Sequence, residues 1–136
     1  MKNGLYSVAL VAGLVAALPQ AGAAFTSRGG TKVNPVNAAI FEVVPKTGGS
    51  GGVFWCGAAD FAQRQMKAPW QARIFVARGR GPSVTTGKRS AVQFTLDPAA
   101  AGIQPAESSL SVNEFAVGES MSVQQAFYYC QKQALF

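Results

Sequence analysis

Two cysteines, Cys56 and Cys130, stand 74 residues apart in a chain of 136. A bond between them closes a loop around most of the chain that follows the N-terminal leader. The leader is what makes a bond the expected use of these sulfurs. Met1-Lys2-Asn3 carries one positive charge, Leu5 to Leu18 is apolar, and Pro19 to Ala24 supplies small residues spaced for a signal peptidase. This is the layout of a secretory signal peptide over residues 1–23, with cleavage after Ala23 or Ala24. Its apolar run of 14 residues is short of the roughly 20 needed to cross a bilayer. Exported chains meet an oxidising compartment, where two cysteines form a disulfide more often than a metal or redox site. In the chain-entropy model a loop of this size disfavours the unfolded state by about 4 kcal/mol.

The hydrophobic pattern puts both cysteines on helices. Ser122 followed by Gln125 reads as a capping box, and Val123, Ala126, Phe127, Cys130 and Ala134 form an apolar stripe behind it. Cys56 stands at the start of a second expected helix, Gly57 to Met66, where Trp55, Ala59, Ala62 and Met66 share one face. Asp60, Gln63, Arg64 and Lys67 fall on its polar side, and Pro69 stops it. If the first and last helices pack together, the sulfurs meet.

Between and before them lie strand signals. Residues 38–45 are β-branched and aromatic around a lone charge, Glu42, and end at Pro45. Trp70 to Arg80 has the centre Ile74-Phe75-Val76, and Ser90 to Asp97 alternates most cleanly of all, so the two predict an antiparallel hairpin with a long loop. Residues 98–105 are bracketed by prolines and read as loop or a short helical turn, and Leu110 to Val117 reads as a final short strand. Residues 24–37, rich in Gly, Pro and polar side chains, read as an extended or loosely ordered arm. The expected fold is a single α+β domain over residues 38–136. It has a three- to four-stranded, mainly antiparallel sheet with two helices packed on one face and one disulfide.

Chemistry is limited by what is missing. The chain has no histidine, which removes the commonest general base and metal ligand. Gly48-Gly49-Ser50-Gly51-Gly52 formally fits G-x-S-x-G between a strand and a helix. A serine nucleophile needs a base, however, and Lys46 is the sole nearby substitute. Residues 81–90 resemble a phosphate-binding loop but have five residues between the glycines and Arg89 where Ser or Thr belongs. The six acidic residues are scattered, so no carboxylate pair stands out. No catalytic residue, cofactor or metal is assigned.

One cluster remains. Without Lys2 the balance is 11 basic minus 6 acidic side chains, or +5. Five of those cations, Arg73, Arg78, Arg80, Lys88 and Arg89, crowd into 17 residues on or beside the expected hairpin. Strand alternation puts Arg78 and Arg80 on the Ile74/Val76 side and Arg73 on the other. With Trp70, Gln71 and the amides of a Gly-rich turn nearby, these side chains form a candidate ligand-binding surface for an anion. Tyr128 and Tyr129 lie off the core stripe of the last helix and offer an aromatic contact. The reading is an exported periplasmic or secreted binding module of a bacterial cell envelope, not an enzyme. Its expected partner is an anionic glycolipid, a polysaccharide or an acidic protein, without specific nucleic-acid binding. The alternatives are a structural or accessory subunit of an envelope assembly, pairing through its arm and sheet edge, and a small serine hydrolase using Ser50.

Overall fold

The computed structural model describes residues 24–47, 49–107 and 111–133. The expected signal peptide and the stripe position Ala134 lie outside them. The β-branched and aromatic segments build one antiparallel sheet ordered β1-β2-β3-β5-β4-β6. Its strands are β1 (Phe25–Thr26), β2 (Lys32–Pro35), β3 (Ile40–Val44), β4 (Arg73–Gly81), β5 (Ala91–Thr95) and β6 (Ser120–Ser122). The α+β class holds, with six strands rather than three or four.

Two of the added strands come from the segment expected to be a loose arm. Its Gly and polar residues serve tight turns instead of disorder. Ser27 N–H donates to the Thr31 carbonyl at 2.8 Å, turning β1 into β2. Asn37 Oδ1 accepts from Ala39 and Ile40 N–H, both at 2.8 Å, turning β2 into β3. Val33 can then pair with Val43 and become fully buried. The other added strand is β6, which lies against residues 73–75 of β4. The strand expected over residues 110–117 does not form among its described residues. Phe115 adopts φ 51° and Gly118 φ 89°, left-handed conformations that break an extended run.

Among the described residues three helices accompany the sheet: α1 (Gly51–Asp60), continued by a π-helical turn over Phe61–Gln65, then α2 (Pro98–Ala101) and α3 (Val123–Gln133). Helix α1 begins inside the glycine stretch, earlier than the expected Gly57. Gly57 is where the helix presses on the sheet: a Cβ there would sit 2.7 Å from Val43 Cγ1. The π turn takes in one extra residue, as Met66 N–H donates to the Phe61 carbonyl at 3.1 Å. Met66 therefore rotates off the apolar face and is exposed. Asp60, expected on the polar side, is fully buried. Its Oδ2 accepts from Arg28 N–H and from Arg64 Nη1, each at 3.0 Å, which ties the β1–β2 turn to the helix.

The core lies between α1 and the sheet, where Phe54, Trp55, Phe94 and Phe115 are fully or almost fully buried with Val43, Ile74, Val76 and Val92. Helix α3 packs against α1, and the disulfide joins Cys56 to Cys130 with their Cα atoms 4.8 Å apart. The capping box is present: Gln125 N–H donates to Ser122 Oγ at 3.0 Å, and Ser122 N–H to Gln125 Oε1 at 2.9 Å.

Candidate functional site

The five candidate arginines and lysines do not stay together. Strand β4 carries two register shifts against β5, between Val76 and Arg78 and between Arg78 and Gly81. Each shift adds a residue and flips the alternation. Arg78 thus faces away from α1, opposite Gln93, which in turn stands opposite Glu42. Its Nη2 donates to the Ala91 carbonyl at 3.3 Å. Arg80 turns to the other face, where its guanidinium lies 4.7 Å from the Phe54 ring centroid and 5.3 Å from that of Phe115. The expectation that Arg78 and Arg80 share one side is corrected by these bulges. Arg73 sits at the far end of β4, donating to Ser120 Oγ at 3.0 Å and to the Ser120 carbonyl at 3.1 Å. Each of these three is engaged by its own neighbours.

Lys88 and Arg89 do come together, and Lys46 lies beside them. A surface depression of about 340 Å³ is lined by Pro45, Lys46, Thr47, Gly87, Lys88, Arg89 and Ser90. It forms where the chain leaves β3 and where it enters β5. None of the three cations makes an ion pair among the described residues, where the salt bridges are Arg28–Asp60 and Arg64–Asp60. No carboxylate lines the depression.

The loop beside this site is held by Glu42, which in the sequence is only the lone charge of an apolar strand. Glu42, fully buried in the middle of β3, holds the loop that leads to Lys88 and Arg89. Its carboxylate accepts from the hydroxyls of Ser83 and Thr85, from Thr85 N–H at 2.8 Å and from Val84 N–H at 3.1 Å. Ser83 Oγ also accepts from Thr86 N–H at 2.9 Å, so the turn is fastened on both sides of Thr85. Asn34 Nδ2 reaches across from β2 to Thr85 Oγ1 at 2.9 Å. A carboxylate is the one group that can take this many donors at once. Burial alone raises the Glu42 pKa. The Ser83 and Thr85 hydroxyls and the Thr85 and Val84 amides together outweigh it and hold the group below its ordinary value of 4.5.

The sign of the pH effect follows. A depressed folded pKa contributes stability that is fully present above about 4.5 and is lost as pH falls through the folded value. We expect the thermal midpoint to drop below pH 4.5, and Glu42→Gln to remove that part of the acid dependence. At pH 7 the same substitution costs about 2 kcal/mol, because an amide oxygen replaces two charged acceptors. Calorimetry of both proteins across acid pH reads both effects. A variant with the wild-type acid profile would contradict the assignment.

Compared with protein-family models, with curated proteins and with solved structures, the chain has no match. Its function must therefore be read from its own geometry.

The remaining candidates are less developed. Ser50 is the N-cap of α1, its side chain makes no cap hydrogen bond, and no hydrogen bond joins it to Lys46 among the described residues. The Lys46 ammonium lies instead against the β1–β2 turn, where a Cβ at Gly30 would sit 3.1 Å from Nζ. No group of three or more Cys, Asp or Glu side chains among the described residues is placed to hold a metal ion. Lys46 and Glu42 are the site residues that sequence reasoning missed. For Glu42 the signal was available: a lone carboxylate midway along an apolar strand must find partners if that strand is central. For Lys46 there was none, because its nearness to Lys88 and Arg89 is created by sheet pairing.

Proposed function

We propose that this chain is an exported, non-enzymatic binding module of the cell envelope. Its contact surface is the Lys46, Lys88 and Arg89 depression, and its ligand is a phosphate or sulfate group carried on a glycan or a lipid. The observation that carries this reading is that Lys88 and Arg89, with Lys46 beside them, line one concavity that no carboxylate enters. An arginine fork can take two oxygens of a tetrahedral oxyanion while lysines act as point charges. Thr47 and Ser90 add hydroxyl-bearing residues to the lining. The Glu42 clamp holds the loop before a ligand arrives, so less ordering entropy opposes binding. The disulfide is compatible with export, and no helix of the described residues is long and apolar enough to cross a membrane.

An envelope subunit that pairs through a free arm has less support. Residues 25–26 and 32–35 are already paired within their own sheet, and the outermost strands β1 and β6 have 2 and 3 residues. Short edges of this kind discourage strand addition.

Retention on immobilised heparin tests the proposal. The wild type is expected to bind and to elute with salt, as screening shortens the reach of exposed charges. Lys88→Ala plus Arg89→Ala is expected to weaken binding at least about tenfold, the equivalent of one charge-assisted hydrogen bond. Lys67→Asn plus Lys132→Gln removes the same net charge elsewhere and is expected to leave retention nearly unchanged. Equal losses in the two double variants would reduce the site to net charge alone. Vesicles of phosphatidylglycerol and soluble polyglutamate, run alongside, separate a lipid phosphate from an acidic peptide. A preference for polyglutamate would overturn the assigned ligand class.

A further inference from the structure

A second concavity lies at the opposite end of β4, and its chemistry differs. The groove encloses about 470 Å³ and is lined by Trp70, Gln71, Gln124, Phe127, Tyr128 and Gln131. We propose that it is a subsite for one uncharged pyranose ring of a saccharide.

Four observations carry this. Aromatic surface is exposed where most of it is buried elsewhere: Trp70 is 39% and Tyr128 53% accessible, while Trp55 and Phe94 are fully enclosed. Ring faces carry negative quadrupolar charge and attract the polarised C–H bonds that a pyranose presents on one side. The second is the amides. Gln124 and Gln131 lie seven residues apart on α3 with Phe127 and Tyr128 between them, one continuous stripe of the helix, and Gln71 faces them from the segment before β4. None of these three side chains hydrogen-bonds another described residue, unlike Gln125, which is engaged in the Ser122 cap. Each amide offers donors and an acceptor side by side, which matches a hydroxyl that also does both. A polyproline segment, the other common guest of an aromatic groove, offers acceptors only and would leave the amide oxygens unmatched.

The third observation is charge. All six lining side chains are uncharged. Two cations stand near but outside, Arg28 at 5.3 Å from the Phe127 ring centroid and Lys132 at 5.8 Å from that of Tyr128. The fourth is rigidity. The two walls are joined by backbone bonds, Gln124 N–H to the Trp70 carbonyl at 3.1 Å and Val123 N–H to the Ala72 carbonyl at 2.8 Å. Trp70 meets Phe127 edge-on with centroids 5.2 Å apart. The groove therefore exists without a ligand, and its volume falls within the usual range for small-molecule sites.

The protein provides its own probe, since Trp55 is enclosed and Trp70 is the tryptophan that a groove ligand reaches. Titration of the intact protein with maltotriose, cellotriose and chitotriose, followed by tryptophan fluorescence and by saturation-transfer NMR, is the test. At least one trisaccharide is expected to give a saturable change that persists at about 1 M salt, where exposed charges no longer communicate. Tyr128→Ala and Gln131→Ala, both at exposed helix positions, are each expected to weaken it roughly tenfold, for one lost stacking face or one lost amide. Lys88→Ala plus Arg89→Ala is expected to leave it unchanged, which keeps this site distinct from the basic depression. No response to any trisaccharide, a response indifferent to Tyr128 and Gln131, or a response to a decaproline peptide alone would overturn the proposal.

Discussion

Reducing the Cys56–Cys130 bond lowers the stability of the folded domain by about 4 kcal/mol, the value expected when a loop of this length is no longer closed in the unfolded chain. Small domains have about 5–15 kcal/mol in all. The thermal midpoint should accordingly fall by on the order of 15–20 °C. The loss is not purely an unfolded-state effect, because the bond lies where α1 and α3 pack. The fold nonetheless has other ties between these parts. Val123 and Ala126 are fully buried, and the first amides of α3 bond to the carbonyls of Trp70 and Ala72. We therefore expect the reduced protein, or the Cys56→Ser plus Cys130→Ser variant, to remain folded at room temperature with a lower urea midpoint. A midpoint insensitive to reductant would show that the bond contributes nothing to the native state.

Replacing Phe115 by alanine costs a similar amount, about 4 kcal/mol, for a different reason. The Phe115 ring is 1% exposed, with centroids 5.2 Å from Phe54, 5.9 Å from Trp55 and 6.2 Å from Phe94. Removing it opens a cavity that touches α1 and β5 together. Its loop also serves the helix: Asn113 Oδ1 accepts from Gly51 N–H at 2.9 Å, and the Val112 carbonyl accepts from Trp55 Nε1 at 3.3 Å. A Cβ on Gly51 would collide with that Val112 carbonyl, so loop and helix start are fitted closely. The backbone at Phe115 has φ 51°, a region that costs a side-chain-bearing residue about 1 kcal/mol or more. Phe115→Gly should therefore be less damaging than Phe115→Ala by about that amount, although it removes more atoms. Chemical denaturation of the two variants decides it. A glycine variant less stable than the alanine one would contradict this account of the loop.

How legible all this is in the sequence depends on the distance over which each feature is determined. The Ser122 and Gln125 cap, the alternation through Val92 and Phe94, and the disulfide between two helical cysteines are local patterns or consequences of one, and the fold contains all of them. Features created by pairing are not legible. Gly and Pro in residues 24–37 resemble a loose arm until Val43 supplies a partner for Val33. Phe115 looks like part of a strand because it is aromatic and lies between Val112 and Val117, and nothing local announces its left-handed backbone. The basic cluster shows the same limit most plainly. Two bulges in β4 separate Arg78 and Arg80 from each other and from Lys88 and Arg89, while Lys46, more than 40 positions from Lys88, becomes a neighbour of that last pair through the β3–β5 pairing. Glu42 stands between these cases. Its oddity is visible in the strand, but the donors that satisfy it lie in another loop.

Backbone amide chemical-shift mapping during titration with a short heparin oligosaccharide tests the anion-binding assignment most directly. The account predicts perturbations centred on Lys46, Thr47, Gly87, Lys88, Arg89 and Ser90. They should be abolished in Lys88→Ala plus Arg89→Ala and at about 1 M salt, where the screening length is about 3 Å. Perturbations spread evenly over Arg28, Lys67, Arg73 and Lys132, or their absence at the depression, would contradict it.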